Sequence, residues 1–408
     1  MSGDDFFDRE AELRILESRV RDRNHVLLTG QRRMGKTSLA RELGRRLESR
    51  GWICLFTDVQ GATCPEDVVT RVAEAAFPVR PLLSQLVART RDLLRGNVEE
   101  LSASGFGVKF RAVLNAGNWQ RHGDALLRDC AAHDKPILLF IDELPIFLNR
   151  LLRETGGAQR ADAFLSWLRG AVQSLGEDSP VLIVSGSIGL APLVTRLGIP
   201  DRINHLDPFR LGPWDRDASI KCFERLARSY ELPVEVGVPG AVYDALGIGI
   251  PHHVQSFFAR LRDFADKQGR GRLTVDDVAE VYRTELLGPS GQNDLVHYET
   301  RLEEALEGRS HAIAMEILAE AATQDAFGPD ARRCLETLYS RLDENAPDRV
   351  AEVLEVLVHD GYLEVDDDGS APFHRFPSRL LKDWWSARYR GHYKSLASRS
   401  AELAGRPS

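Results

Sequence analysis

The sequence predicts an α/β fold in which helices cover both faces of a parallel sheet. Three short segments are almost wholly apolar, and each is followed by helical periodicity: HVLLTG at 25–30, PILLFIDE at 136–143 and PVLIVSG at 180–186. Strands that are buried on both faces have continuous apolar runs, whereas strands with one solvated face alternate. Such strands, alternating with helices, are typical of a parallel sheet covered on both sides.

The same periodicities place the other elements of this α/β core. Helices are predicted at 9–21, 66–77, 82–95, 123–133 and 159–175, and a second strand at 52–59, WICLFTDV. Residues 98–114 contain glycines, and apolar and polar residues alternate after Gly105, which predicts an inserted hairpin. A last strand is predicted at 203–206, INHL. We therefore expect the core to span residues 1–211.

Beyond residue 211 the strand pattern ends. Helical periodicity at 215–230, 239–247, 251–267 and 275–286 predicts a helical lid over 212–290, followed by a linker, GPSGQND, at 288–294. Helices are then predicted at 295–307, 309–323, 328–342 and 347–359, before a hairpin with the turn DDDG. Helices followed by a hairpin are the order of a winged helix, which we expect at 291–390, with a basic tail at 391–408.

Composition is that of an ordinary globular protein, with 43% hydrophobic and 28% charged residues among 408. The formal net charge of −8 argues against non-specific wrapping of nucleic acid. The five cysteines form no CxxC pair, so neither a zinc site nor a disulfide framework is predicted. The acidic N-terminus and the shortness of every apolar run favour a cytoplasmic protein without a membrane span.

One motif carries most of the chemistry. Gly30–Thr37, GQRRMGKT, matches GxxxxGK[ST] and lies between an apolar strand and a helix. In that context the backbone N–H groups of the loop surround a phosphate. We expect Lys36 to reach the β- and γ-phosphates and Thr37 to ligate Mg²⁺, with ATP or ADP as the nucleotide. The expected nucleotide-binding residues of this segment are Gly30, Gln31, Arg32, Arg33, Met34, Gly35, Lys36, Thr37 and Ser38.

A second motif is the strand end Ile137–Glu143, ILLFIDE. Asp142 is placed at the carboxyl end of a central strand, where α/β sheets bind their ligands. We expect Asp142 to hold Mg²⁺, directly or through water, and Glu143 to polarise the attacking water as a general base. Ser187 or Ser185, after the neighbouring strand, can hydrogen-bond the γ-phosphate or the water. A serine of a strand-to-helix turn is an equal alternative for this pair.

Three segments together resemble the archaeal-type ATPases of the STAND class, which are relatives of AAA+ proteins: GQRRMGKTSL, LLFIDEL and IVSGSIG. The opening FFDREAEL is similar to that family's start, with Asp8 where glycine is usual. The resemblance implies that Arg9 lies near the nucleotide. LDPF at 206–209 resembles the end of the family's ATPase core, and FHRFPSRLLKDWW at 373–385 its C-terminal winged helix.

The segment GIGIPHH at 247–253 is similar to the Gly-x-Pro motif of the family's helical lid. The resemblance implies that Pro251 packs on the adenine. His252 and His253 stand where AAA+ enzymes usually have an arginine, and capping or surface roles are the alternative for them. Arg196 and Arg202 follow the strand where AAA+ proteins keep an arginine finger, and ordinary surface charge is the alternative reading for both.

The resemblance implies a P-loop NTPase of the AAA+/STAND type that binds ATP and hydrolyses it slowly as a conformational switch in signalling or assembly. The lid and the winged helix are expected to close over ADP and open with ATP. Two alternatives stay open. One is a DNA-binding ATPase, such as a regulator or loader, and the other is an inert module whose loop only stabilises the fold.

The charges of the predicted winged helix point both for and against DNA binding. Its third helix is acidic, because only Arg349 opposes four carboxylates between 348 and 360, and phosphates would repel it. In contrast, residues 375–399 contain seven basic residues and one acidic residue, interleaved with Trp384, Trp385 and Tyr389. That composition suits nucleic acid, although adjacent tryptophans also anchor cores. The expected partners are the nucleotide, a protein partner or a second copy, and, in the alternative, DNA.

Overall fold

The computed structural model describes residues 6–83, 102–186, 189–306, 308–366, 372–389 and 391–404. By their contacts the residues form two compact units. The first contains the chain up to Gly30 together with Lys36–Leu211, and the second contains Gln31–Gly35 together with Gly212–Ser408. The chain thus enters the second unit within the glycine-rich loop and returns to the first at Lys36.

Five parallel strands form the centre of the first unit: β1 His25–Thr29, β2 Ile53–Asp58, β3 Ile137–Asp142, β4 Val181–Ser185 and β5 Leu206–Arg210. Their order is β2-β3-β4-β1-β5, and all neighbouring strands are parallel. The connections between successive strands therefore cross over the sheet. The central residues of β1, β3 and β4 are buried. The α/β fold with a parallel sheet is therefore confirmed.

Eight helices are described in this unit: α1 Glu10–Arg21, α2 Lys36–Glu48, α3 Pro65–Ala76, α4 Ala103–Val113, α5 Trp119–Ala131, α6 Leu144–Leu152, α7 Gly157–Leu175 and α8 Leu190–Arg196. Short 3₁₀ turns occur at Arg80–Leu83, Gly176–Asp178 and Pro200–Ile203. The predicted helix at 82–95 lies almost entirely outside the described residues. The core is apolar, and Phe110, Phe147 and Phe164 are completely buried in it.

The hairpin predicted over 98–114 is wrong for residues 103–113, which form α4; residues 98–101 lie outside the described part. The Ser102 side chain accepts a hydrogen bond from the Gly105 N–H at 3.1 Å and so caps the helix. Phe106 and Phe110 stack one turn apart with their centroids 5.7 Å from each other. Gly107 does not mark a turn, because it lies where α4 passes close to the Glu74 side chain.

The last strand of the sheet is β5, Leu206–Arg210, and not the predicted 203–206. Ile203 instead ends the 3₁₀ turn Pro200–Ile203. Pro208 lies in β5, which is an edge strand in the order of the sheet. An edge strand tolerates the missing N–H of proline, so the LDPF segment is compatible with a strand after all.

The second unit begins with α9 Arg216–Ser229, α10 Val238–Leu246, α11 Pro251–Gln268 and α12 Val275–Val281, which continues into a π-helical turn, Tyr282–Leu286. Then come α13 Pro289–Ala305, α14 Gly308–Thr323, α15 Pro329–Ser340 and α16 Ala346–His359. The predicted linker at 288–294 is wrong, because α13 already begins at Pro289, and proline suits the first turn of a helix.

A short antiparallel hairpin follows α16. Its strands are β6 Glu364–Asp366 and β7 Phe373–Arg375. The predicted turn DDDG at 366–369 begins at the last residue of β6, and its other residues lie outside the described part of the chain. The last helices are α17 Arg379–Tyr389 and α18 Leu396–Ala404. In the described part of the chain, no helix combines the length and the apolar character that crossing a membrane requires.

Gly123→Ala tests the packing of α5 on α7. A Cβ at residue 123 would lie 2.3 Å from the ring of Trp167, which donates through Nε1 to Asp124 at 2.8 Å and so cannot move freely. We expect the free energy of unfolding to fall by about 1–3 kcal/mol, measured with a chemical denaturant. Gly170→Ala in α7 is the control, because a Cβ there meets nothing within 4 Å. It should be neutral or stabilise by up to about 1 kcal/mol, and equal losses in both variants would contradict this packing.

Candidate functional site

The loop between β1 and α2 has a backbone that few side chains can adopt. Gly30 has φ +145° and Gly35 has φ +88°, while Arg33 lies in the left-handed region at +68°. A Cβ at residue 30 would be 2.5 Å from the carbonyl oxygen of Leu211. Leu211 is held there because its N–H donates to the Thr29 carbonyl at 2.8 Å. Sequence reasoning missed Leu211, since only the pairing of β5 with β1 brings it to the loop.

Lys36 and Thr37 start α2 at the end of this loop. Lys36 is 7% exposed, and its Nζ donates to the Gly30 carbonyl at 2.6 Å, so the side chain folds back over the loop. Thr37 is exposed, and its Oγ1 donates to Asp142 Oδ2 at 2.7 Å. The structure therefore brings together the loop hydroxyl and the strand-end carboxylate that the two motifs predict.

Asp142 has donors on both carboxylate oxygens. Its Oδ1 accepts from the hydroxyl of Ser185, the completely buried last residue of β4, and from the Glu143 N–H at 3.1 Å. Ser185, one of the two serines predicted for the strand tip, thus contacts the carboxylate. Ser187, the other, lies outside the described residues. Three donors on one carboxylate fix its orientation.

Glu143 follows Asp142 and turns the chain from β3 into α6. Its φ of +58° places a non-glycine residue in the left-handed region, at the N-cap of α6. Such a conformation persists only where the surroundings support it, and it is frequent at functional sites. The side chain is half-buried beside the carboxyl end of the sheet.

Arg9 and Asp8 have unusual backbones as well. Asp8 has φ +58° and Arg9 has φ +73°. Asp8 stands where the family that the sequence resembles usually has glycine, and it still adopts a left-handed backbone. Arg9 is 6% exposed, and its Nη1 lies 2.8 Å from Glu12 Oε1, so α1 fixes the side chain.

Arg196 and Arg202 have partners inside the first unit. Arg196 Nη2 donates to Asn149 Oδ1 at 3.3 Å. Arg202 donates through Nε to Asp162 at 2.6 Å and through Nη1 to Asp201 at 2.5 Å. Either arginine would have to exchange these contacts to act on another subunit.

Pro251 and the two histidines open α11 in the second unit. Pro251 is the first residue of that helix, a position that the restricted φ of proline favours, and it is buried. His253 is 3% exposed, and its Nε2 lies 3.2 Å from the Tyr298 hydroxyl. Burial lowers the pKa of His253 to about 3, with the nearby Arg33 charge adding to the effect. His253 is therefore neutral at physiological pH and does not supply the positive charge of an arginine.

Residues 5–184 match the family described as "AAA ATPase domain". No curated protein matches the chain. Among solved structures, the Walker-type ATPase PABY2304 of Pyrococcus abyssi is 19% identical, with 93% of this chain and 96% of that chain covered and a TM-score of 0.58. The ORC2 protein of Aeropyrum pernix in its ADPNP–ADP complexes is 14% identical, with 95% and 98% covered and a TM-score of 0.55.

The family match covers residues 5–184, and the loop between β1 and α2 within that range has the positive φ values of a P-loop at Gly30, Arg33 and Gly35. The chain is an ATPase, which confirms the enzyme class predicted from the two motifs. The two solved structures share its fold, and their low identity supports no more than that.

Lys36→Ala is expected to weaken ATP binding by at least about tenfold, because it removes a charge-assisted contact to the phosphates worth about 1.5–3 kcal/mol. Equilibrium titration with a fluorescent ATP analogue measures the change. Lys135→Ala, which removes an exposed lysine just before β3, is the matched control and should bind like the wild type. Unchanged affinity in Lys36→Ala would refute the assignment of the loop.

Proposed function

We propose that the chain is an ATP-driven conformational switch, in which the AAA-type domain binds ATP with Mg²⁺ and hydrolyses it slowly. The observation that carries the proposal is the 2.7 Å hydrogen bond between Thr37 Oγ1 and Asp142 Oδ2. It joins the end of the phosphate-binding loop to the carboxyl end of β3, where a nucleotide and its metal bind in such sheets.

The donor set at this contact fits Mg²⁺. A threonine hydroxyl and an aspartate carboxylate are hard oxygen ligands, and Mg²⁺ commonly takes one or two protein oxygens together with phosphates and water. Mg²⁺, when bound, neutralises the negative charge of the phosphates. Thr37 and Asp142 would hold it, and Ser185 keeps the Asp142 carboxylate oriented.

Glu143 is our candidate for the general base. Its left-handed backbone turns the chain from β3 into α6 directly after Asp142, so the residue itself lies at the carboxyl edge of the sheet. There it would accept a proton from the water that attacks the γ-phosphate. Lys36 would bind the β- and γ-phosphates, and Arg9 and Pro251 are proposed to contact the nucleotide away from the phosphates.

We further propose that nucleotide state is read by the second unit, as a lid over 212–290 and a winged helix over 291–390. The order of α14, α15 and α16 followed by the β6–β7 hairpin supports the winged helix. A switch of this kind requires that ATP and ADP contact the two states differently, and the γ-phosphate is the group that differs. STAND-type signalling or assembly is the proposed use.

The basic segment 375–399 is largely neutralised within the second unit, which argues against DNA as its ligand. Six of its seven cations pair with carboxylates, and Arg390 lies outside the described residues. The pairs are Arg375–Asp366, Arg379–Asp383, Lys382–Asp325, Arg388–Glu299, Lys394–Glu402 and Arg399–Glu316. Trp384 and Trp385 are 6% and 0% exposed, so they anchor the core. We therefore favour a protein partner, or a second copy, over DNA.

Glu143→Gln is expected to retain ATP binding and to lose hydrolysis by at least about a hundredfold, because the amide preserves the shape but cannot accept a proton. Phosphate release under single-turnover conditions and nucleotide titration together measure the two effects. Glu154→Gln, an exposed glutamate just beyond α6, is the control and should hydrolyse ATP normally. Hydrolysis at the wild-type rate in Glu143→Gln would exclude Glu143 as the base.

A DNA-binding measurement tests the choice of partner. If the basic segment bound duplex DNA, each phosphate contact would add about −0.9 to the log–log slope of affinity against salt. Replacing Arg388, Arg390 and Lys394 by alanine would then reduce the slope by up to about three units. We expect no measurable duplex binding by the wild-type protein even at low salt. Salt-dependent binding that this triple variant weakens would favour the DNA-binding alternative.

A further inference from the structure

The middle of the phosphate-binding loop is held by two separate segments of the second unit. Gln31 is 7% exposed, and its side chain packs against Gly361, where an added Cβ would be 3.1 Å from three Gln31 atoms. Arg32 Nη1 donates to the carbonyl oxygen of His297 at 3.3 Å. Gly361 follows α16 and His297 lies in α13, so two distant parts of the sequence meet consecutive loop residues.

These two contact points are tied to each other by the residues next to them. Tyr362, which follows Gly361, donates its hydroxyl to the carbonyl oxygen of Tyr298 at 2.7 Å. Tyr298 follows His297, and its own hydroxyl lies 3.2 Å from His253 Nε2 in α11. His253, Tyr298 and Tyr362 are 3%, 2% and 5% exposed. Buried hydrogen bonds of this kind fix positions firmly, because breaking one leaves a polar group without a partner.

The loop needs such support at Arg33. A non-glycine residue in the left-handed region is strained by about 1–3 kcal/mol and persists only where neighbouring contacts hold it. Arg33 has φ +68°, and the two residues immediately before it contact the segments around Gly361 and His297. The strain and its support are therefore adjacent in the chain.

We propose that the segments around His297 and Gly361 are a positioning support for the phosphate-binding loop, held together by Tyr362, Tyr298 and His253. They keep Arg33 in the left-handed conformation and so preorganise the loop for phosphates. Tyr362 is the positioning residue that this assignment singles out, because its hydroxyl joins the two contact points. The inference rests on the proposed nucleotide site and adds that residues outside the ATPase domain set how long a nucleotide stays bound.

Tyr362→Phe tests the support, since it removes one hydroxyl and keeps the buried ring. We expect ADP, chased from the full-length protein with a fluorescent analogue, to dissociate about two- to tenfold faster, as one lost buried hydrogen bond implies. Tyr393→Phe is the matched control: it also removes a tyrosine hydrogen bond, to Glu320 at 2.8 Å in the same unit, but none that reaches the loop. It should leave the rate of ADP release unchanged.

Two backgrounds at residue 33 separate backbone strain from the arginine charge. Both Arg33→Asn and Arg33→Ala remove the charge of the side chain. Asparagine tolerates the left-handed conformation better than most residues, whereas alanine remains strained in it. Tyr362→Phe should accelerate ADP release in the alanine background and have a smaller effect in the asparagine background. Equal acceleration in both backgrounds would overturn the link between the support and Arg33.

Amide hydrogen exchange of residues 31–35 in nucleotide-free protein provides a readout that does not depend on ADP. Tyr362→Phe should increase exchange at these amides, and Tyr393→Phe should not. If wild-type protein bound no nucleotide, the proposed function would fail, and this measurement would still decide on the support. Unchanged exchange in Tyr362→Phe would overturn the proposal even if ADP binding were normal.

Discussion

The backbone of the phosphate-binding loop is the constraint on which the rest of the structure depends. A loop that turns several N–H groups towards one phosphate must leave the ordinary regions of φ and ψ, and here Gly30, Arg33 and Gly35 all have positive φ. The three residues meet this requirement in different ways. Gly30 needs the absence of a Cβ because the Leu211 carbonyl is so close, Gly35 has open space and needs only conformational freedom, and Arg33 has neither advantage. The pairing of β1 with β5 fixes one end of the loop through Leu211, and α2 fixes the other.

The carboxyl edge of the sheet is organised around one carboxylate. Asp142 accepts hydrogen bonds from Thr37, Ser185 and the Glu143 amide, which come from α2, β4 and the start of α6. Because the strands are parallel, their carboxyl ends lie at one edge, and residues far apart in sequence meet there without any long loop. A carboxylate held by three donors is already oriented, so little reorganisation would be needed when a metal and phosphates bind.

The sequence was sufficient for most of the sheet and for placing the candidate site residues at strand and helix ends, because both depend on local patterns. Continuous apolar runs located β1, β3 and β4, and the spacing of GxxxxGK[ST] after a strand located Lys36 and Thr37. The errors occurred where tertiary contacts decide. Gly105 and Gly107 look like turn residues, but α4 uses Gly107 for close approach to α3. The glycine-rich segment 288–294 looks like a linker, but Pro289 starts a helix. Nothing local distinguished Ser185 from Ser187, and no motif marks His297 or Gly361 as neighbours of the loop.

The charge of residues 375–399 also depends on tertiary contacts that the sequence does not show. Counted along the chain, residues 375–399 are a basic patch, whereas in space six of the seven cations pair with carboxylates, five from elsewhere in the second unit and one, Asp383, from within the segment. These ion pairs and the buried tryptophans make the second unit internally well connected. The same unit includes Gln31–Gly35, while Gly30 and Lys36 on either side belong to the first. The chain therefore crosses between units twice within the phosphate-binding loop. Within the second unit, Gln31 and Arg32 contact the segments around Gly361 and His297, so the loop backbone is part of the internal packing of that unit.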